Sequence, residues 1–258
     1  MNFIKRTLGG VAILLILLLM TFFGHNALSI GVTIFSVIAI KEMSNALANV
    51  NLNPPWGLLI VCDLIIMIGA YSWYSEFYTM AIIFSIVLVL IYMTFNQKSS
   101  IQDVFASLFI LMYVPVLMGN ILRIADQRYI WMLYISAWGS DTFAYLVGSL
   151  FGKHKIENIK HISPNKTIEG SIGGIVGAVI LNLIFSKYSS LDIPTSYIVV
   201  FSIIAAFLSQ VGDLVASFIK RKTNIKDFGD LIPGHGGIMD RFDSMIFIAP
   251  LLYLLSII

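Results

Sequence analysis

Charge is scarce in this chain. Only 12% of its 258 residues are Asp, Glu, Lys or Arg, 58% are apolar, and the mean hydropathy is +0.90. A water-soluble globule of this length needs far more polar surface to cover its core, so lipid must be the solvent for most of the chain. Cysteine is nearly absent: Cys62 stands alone inside an apolar run, which excludes an intramolecular disulfide and leaves the redox compartment unread. Strict two-residue alternation is missing, which excludes a membrane β-barrel. No A-x-A-like cleavage site follows Lys5-Arg6 and the apolar residues 11–23, so that stretch reads as a first membrane anchor and not as a signal peptide. There is no repeat, no low-complexity tail and no soluble domain, and no nucleic-acid partner is expected.

What remains is a series of apolar windows, each close to the roughly 20 residues that span about 30 Å of hydrocarbon as a helix. Nine are expected, at 8–23, 27–46, 56–72, 76–95, 102–123, 128–152, 168–187, 195–219 and 244–258. The first two are split only by the tight turn Gly24-His25-Asn26, and Pro54-Pro55 stops any helix entering the third. The fold class is therefore all-α: a polytopic transmembrane helical bundle with its active site at the cytoplasmic side. Residues 1–125 read as N-terminal transmembrane helices. Residues 126–258 read as a catalytic transmembrane region with two polar cytoplasmic loops, 152–167 and 220–243.

Orientation follows from the basic residues. With a cytoplasmic N-terminus and nine spans, thirteen of the 16 lysines and arginines fall inside, and only Arg123, Arg128 and Lys187 fall outside. This places both long loops in the cytoplasm, where nucleotides are, and the protein in the inner (plasma) membrane.

Acidic residues inside spans cost several kcal/mol unless paired, hydrated or metal-bound. Asp141 lies in the sixth window and Asp213 in the eighth. Ser209, Asp213 and Ser217 recur every four residues and share one helix face, with Lys220 near it. Asp63 has no motif around it and reads as structural pairing or as a sign that the third window is misplaced. Segment 217–244 is the richest, with cations Lys220, Arg221, Lys222, Lys226 and Arg241 beside carboxylates Asp227, Asp230, Asp240 and Asp243. Phosphate handling needs both signs: cations for the phosphate oxygens and carboxylates for Mg²⁺. Pro233-Gly234 and Gly236-Gly237 form a loop able to bring backbone amides to an anion, and His235 either contacts phosphate or caps that turn. An ordinary positive-inside loop accounts for the lysines but not for four carboxylates and a Gly-rich turn.

In the other loop, Ser163 is a candidate cap for the following helix. Lys166 and Glu169 are candidates for a phosphate contact and a site carboxylate. Gly170/Gly174 and Gly173/Gly177 are small-xxx-small pairs and read as helix packing. Lys153, His154, Lys155 and Lys160 read as a lipid-headgroup patch.

Ser217-x-x-Lys220-Arg221-x4-Lys226-Asp227-x-Gly229-x-x-Ile232-Pro233-Gly234-His235-Gly236-Gly237-x-x-Asp240-Arg241-x-Asp243-Ser244 resembles the signature of the CDP-diglyceride synthetases, or phosphatidate cytidylyltransferases, of bacterial type. Two further blocks agree: Ser140-Asp141-Thr142-x-Ala144-Tyr145-x-x-Gly148, and Ser163-Pro164-Asn165-Lys166-Thr167-x-Glu169-Gly170. In the latter, Asn165 stands where the family usually has Lys, and Lys166 keeps the neighbouring charge. The similarity covers residues 138–244; the N-terminal windows match only as hydrophobic helices.

The resemblance implies transfer of the CMP group of CTP to phosphatidic acid, giving CDP-diacylglycerol and pyrophosphate. It implies a requirement for Mg²⁺, in some members with a second cation such as K⁺ beside it, and a homodimer in the bilayer. It implies a metal centre on Asp213 and Asp240, with Asp243 and Asp141 as further contributors. Catalytic roles then fall to Asp213, Asp240, Asp243, Lys220 and Arg241. Substrate contacts fall to Lys166, Glu169, Arg221, Lys226, His235, Ser217 and Asp141. A related CTP-dependent lipid-phosphate transferase, of polyprenol kinase or CDP-archaeol synthase type, would share this logic. An ion-coupled transporter would use Asp141 and Asp213 for its ion, but the half-chain symmetry usual in transporters is missing.

Overall fold

In the computed structural model, residues 3–231 and 236–258 are described, with side chains from Ile13 onward. The described residues form helices and isolated bridges, among them the antiparallel bridge of Lys155 with Thr167, and no strand. Among the described residues, five helices are long and apolar enough to cross a membrane: His25–Ala48, Ser75–Phe95, Ile101–Leu122, Ile168–Ser189 and Thr195–Lys222. Three shorter apolar helices accompany them, Ile13–Phe22, Trp56–Tyr71 and Met245–Ser256. This is an integral membrane protein.

The chain divides into two compact units: residues 1–125 with 222–241, and residues 126–221 with 242–258. Lys222–Arg241, the heart of the polar segment, thus groups with the N-terminal helices.

The first unit holds α1 (Phe3–Phe22), α2 (His25–Ala48), α3 (Trp56–Tyr71), α4 (Ser75–Phe95), α5 (Ile101–Leu111) and α6 (Leu117–Leu122). Gly24, at φ 108°, turns the chain between α1 and α2 in a conformation other residues rarely adopt. Ser100 and Asp103 form a capping box at the start of α5, and Asp103 also accepts the Asn53 amide at 2.5 Å, fixing the polar turn after α2. Pro115 lacks the N–H that an α-helix needs, and the chain answers with a π turn at Met112–Val116 between α5 and α6. The Val116 carbonyl there accepts from the Tyr78 hydroxyl at 2.6 Å and from Asn120 at 2.8 Å. Asp63 is fully buried and accepts the Ser36 hydroxyl of α2 at 2.5 Å, the structural pairing expected of it.

The second unit holds α7 (Gln127–Phe151), α8 (Ile168–Ser189), α9 (Thr195–Lys222) up to its last residue, and α11 (Met245–Ser256). The short α10 (Met239–Phe242) leads into α11. Two of the small-residue positions on α8 meet α7 backbone. A Cβ on Gly170 would lie 2.8 Å from the Ala144 carbonyl oxygen, and one on Gly174 2.7 Å from that of Ser140. At the other end Arg128 donates to the carbonyls of Ser189 and Ser190, at 3.3 and 3.0 Å, tying the start of α7 to the end of α8. The expected cap at Ser163 is corrected. Thr167 caps α8, its hydroxyl accepting the Gly170 amide at 3.1 Å, because four further residues are spent in the bridge and turn before the helix starts.

Candidate active site

A cavity of about 670 Å³ lies in the second unit among α7, α8, α9 and the loop before α8. Its lining is mostly apolar, with Tyr145, Ile156, Ile159, Phe207, Val211 and Leu214, and carries the charged side chains Asp141, Lys166 and Asp213 beside the polar Ser149, Asn165, Thr167, Ser171 and Gln210.

Lys166 and Asp213 pair in this lining, Nζ to Oδ2 at 2.6 Å, and Nζ also donates to the Gln210 carbonyl at 3.3 Å. Protein covers neither side chain completely, with 27% and 38% exposed. Gln210 holds the three helices together. Its Nε2 donates to the Ser140 hydroxyl at 3.3 Å and the Ser171 carbonyl at 3.1 Å, and its Oε1 accepts the Ser171 hydroxyl. Asp141 lines the same wall on α7.

Asp243, just before α11, is the buried acid of this unit, 9% exposed. Burial pushes its carboxyl up to about 7, and the charges of Asp213 and Asp141 push the same way. Lys220 and the Ser244 amide, 2.8 Å from Oδ1, oppose them. The chain is brought close by Gly212: a Cβ there would clash with the Asp243 carbonyl oxygen and sit 3.1 Å from the Ser244 Cα. Asp213 is therefore next to the point of closest approach between α9 and the start of α11.

Three carboxylates pressing on one another are the environment that a divalent cation relieves. Among the described residues no three His, Cys, Asp or Glu side chains close round one point as a ligand set.

Other predicted residues are placed elsewhere. Glu169 turns to the loop, accepting the amides of Lys153 at 3.2 Å and His154 at 3.2 Å and pairing with the His154 ring at 2.5 Å. Ser217 and Lys220 are half-buried on α9, and Arg221 is exposed. In the first unit Asp240 is buried, its Oδ2 accepting the Phe228 amide at 2.8 Å and the Gly237 amide at 3.0 Å. Arg241 is half-buried and Lys226 exposed. His235 lies outside the described residues.

The sequence model of the Cytidylyltransferase family matches residues 4–258. The chain belongs to the Cytidylyltransferase family. It is 33% identical over 257 residues to the phosphatidate cytidylyltransferase of Staphylococcus saprophyticus and 35% over 258 residues to that of Staphylococcus epidermidis, covering 98% of each chain in both cases. With the Bacillus subtilis enzyme of the same name it shares 44% over 137 residues, 52% of this chain and 50% of that one.

Two residues that hold this cytidylyltransferase's polar segments escaped the sequence reading. Gln210 sits three residues before Asp213 in an apolar helix, and its polarity there is the one signal it gives. Glu42, on α2, is buried at 7% exposure and accepts the amides of Ile238 at 3.0 Å and Met239 at 2.8 Å. Of the loop expected to bring amides to an anion, Pro233-Gly234 lie outside the described residues; the Gly237 amide is taken by Asp240, and the Ile238 and Met239 amides that follow are taken by Glu42.

Proposed function

We propose that this chain is a phosphatidate cytidylyltransferase. The observation that carries the reading is the near-full-length identity to bacterial enzymes of that name. The cavity, mostly apolar and carrying Lys166 and Asp213, is its chemical counterpart. In this reading a phosphate oxygen of phosphatidic acid attacks the α-phosphorus of CTP. A new P–O bond forms, the bond to the β-phosphate bridging oxygen breaks, and pyrophosphate leaves. The attacking oxygen is already anionic at neutral pH, so no strong general base is required.

The difficulty is electrostatic, since two anions must meet and a third must leave. Lys166, Lys220, Arg221, Lys226 and Arg241 hold phosphate oxygens and offset that repulsion. Asp213, Asp240 and Asp243 are the carboxylates for Mg²⁺, with Asp141 beside them and K⁺ as a second cation. Bound Mg²⁺ would supply charge neutralisation at the phosphates. The cavity's apolar walls accept the upper acyl chains while the rest stay in lipid. Nine spans, a cytoplasmic placement of both polar loops in the inner membrane, and a homodimer complete the reading; the 13-to-3 bias of the 16 basic residues supports its orientation.

The deciding experiment gives purified protein labelled CTP and either phosphatidic acid or polyprenol. Mg²⁺-dependent pyrophosphate release with phosphatidic acid alone is expected. Turnover only with polyprenol, or none with either, refutes the assignment.

A further inference from the structure

The glycines of the polar segment have a physical cause in the first unit. A Cβ on Gly229 would lie 2.5 Å from Glu42 Oε1, and a Cβ on Gly237 would clash with the same carboxylate. Neither glycine lines the cavity. Both are small because the loop wraps round the Glu42 side chain. Its two oxygens are used separately: Oε1 accepts the Ile238 amide and Oε2 the Met239 amide. The next amide upstream, that of Gly237, goes to Asp240 Oδ2, which also takes the Phe228 amide across the loop. Gly236, at φ 83°, turns the chain so that these amides point to one side, and a Cβ there would lie 2.6 Å from Asp240 Oδ2.

Two internal carboxylates therefore hold the backbone at Phe228 and at residues 237–239, one local and one 196 positions away in sequence. We infer that Glu42 is a positioning residue: it fixes the backbone at 237–239 and, through it, the direction of the Asp240 carboxylate. A carboxylate is required because both of its oxygens accept. A glutamine of the same shape would turn an NH₂ toward one of the two amide N–H groups, and a buried N–H facing N–H₂ forces the loop aside. The N-terminal helices are then a working part of the enzyme, since α2 holds the segment that carries Asp240 and Arg241. The functional half of this inference rests on the cytidylyltransferase reading above; the anchoring half does not.

The test compares full-length wild type, Glu42→Gln and Glu42→Asp in detergent micelles. Three quantities are read: hydrogen exchange of the peptide spanning 227–241, Mn²⁺ binding by electron paramagnetic resonance, and turnover against Mg²⁺. For Glu42→Gln the expected result is at least about a tenfold rise in exchange confined to 227–241, weaker Mn²⁺ binding, and about tenfold lower kcat with an unchanged KM for phosphatidic acid. Glu42→Asp, which keeps two acceptors, should recover part of each. Unchanged exchange in Glu42→Gln overturns the anchoring. Raised exchange with unchanged Mn²⁺ binding and kcat overturns the positioning role and leaves a merely structural one. A wild type inactive with phosphatidic acid would instead sink the functional reading, and exchange and Mn²⁺ binding would then decide the inference alone.

Discussion

Replacing Gly174 by Ala separates helix propensity from packing, because Gly57→Ala supplies a matched control. Both glycines sit in apolar helices, α8 and α3, and alanine is favoured over glycine by about 0.4–1 kcal/mol at a compatible position. A Cβ at Gly57 meets nothing within 4 Å, so that variant should keep the gain. A Cβ at Gly174 lies 2.7 Å from the Ser140 carbonyl oxygen, 3.0 Å from Gln210 Nε2 and 3.1 Å from the Ala144 Cβ. The first of these is backbone and cannot swing away, so α7 and α8 must separate by about half an ångström or more to restore ordinary contact. Overpacking of this kind costs about 1–3 kcal/mol. The shift also strains the Gln210 hydrogen bonds to Ser140 and Ser171, each contributing about 1 kcal/mol. Against the propensity gain, the net loss is about 1–3 kcal/mol, or a fall in Tm of roughly 2–10 °C for a chain of this size. Tryptophan fluorescence during heating in detergent reads it directly. Gly57→Ala should melt at or slightly above wild type. If Gly174→Ala melts with it, the close α7–α8 contact is wrong.

The remaining predictions concern charge. Asp213→Asn and Asp240→Asn should each abolish pyrophosphate release while the protein still folds and inserts in the membrane; near-normal activity in either removes the metal assignment. Lys166→Met deletes the cation 2.6 Å from Asp213 and should lower kcat/KM by about 10²-fold or more, a size usual for one preorganised charge at a phosphoryl centre. A loss under threefold would count against it. Lys220→Ala should raise the KM for CTP more than it lowers kcat, and an unchanged CTP dependence would remove Lys220 from nucleotide handling. At the far end of α7, the Arg128 guanidinium holds the Asp126 carboxyl below its usual range. The stabilisation from a depressed acid is present above its unfolded pKa of about 3.9 and lost as pH falls through the lower folded value. Wild-type Tm should therefore drop below about pH 4 more steeply than that of Asp126→Asn; parallel profiles would contradict the pairing.

Most of the helices were legible because bilayer thickness sets their length and apolar composition marks their extent. The window expected at 102–123 is Ile101–Leu122, and the one at 168–187 is Ile168–Ser189. The glycine pairs of α8 were legible too, since small residues four apart make a groove only where another backbone enters it. Cap and kink positions were less so. Ser163 and Thr167 are equally good caps by residue type, and only the bridge between Lys155 and Thr167 decides where α8 begins. The π turn at Pro115 depends on the Tyr78 hydroxyl reaching the Val116 carbonyl, a partner 38 residues away.

Glu42 shows why the site could be read only in part. Next to Lys41, whose ammonium lies 5.7 Å from the Trp56 ring, it looks like half of a surface ion pair at a helix end. Nothing local distinguishes a solvated glutamate from one that receives two backbone amides across 196 residues. Motif residues announce themselves by clustering, because a phosphate centre needs several charges within a few ångströms and a loop can supply them in sequence. A residue that shapes such a loop from a distant helix does not cluster with anything. Its trace is the pair of glycines that make room for it, Gly229 and Gly237, the second of which the sequence pattern credits to an anion-binding turn. An isolated acid buried in an apolar helix that lacks a motif therefore marks a distant partner, since burial of a carboxylate is costly unless hydrogen bonds or a cation offset it.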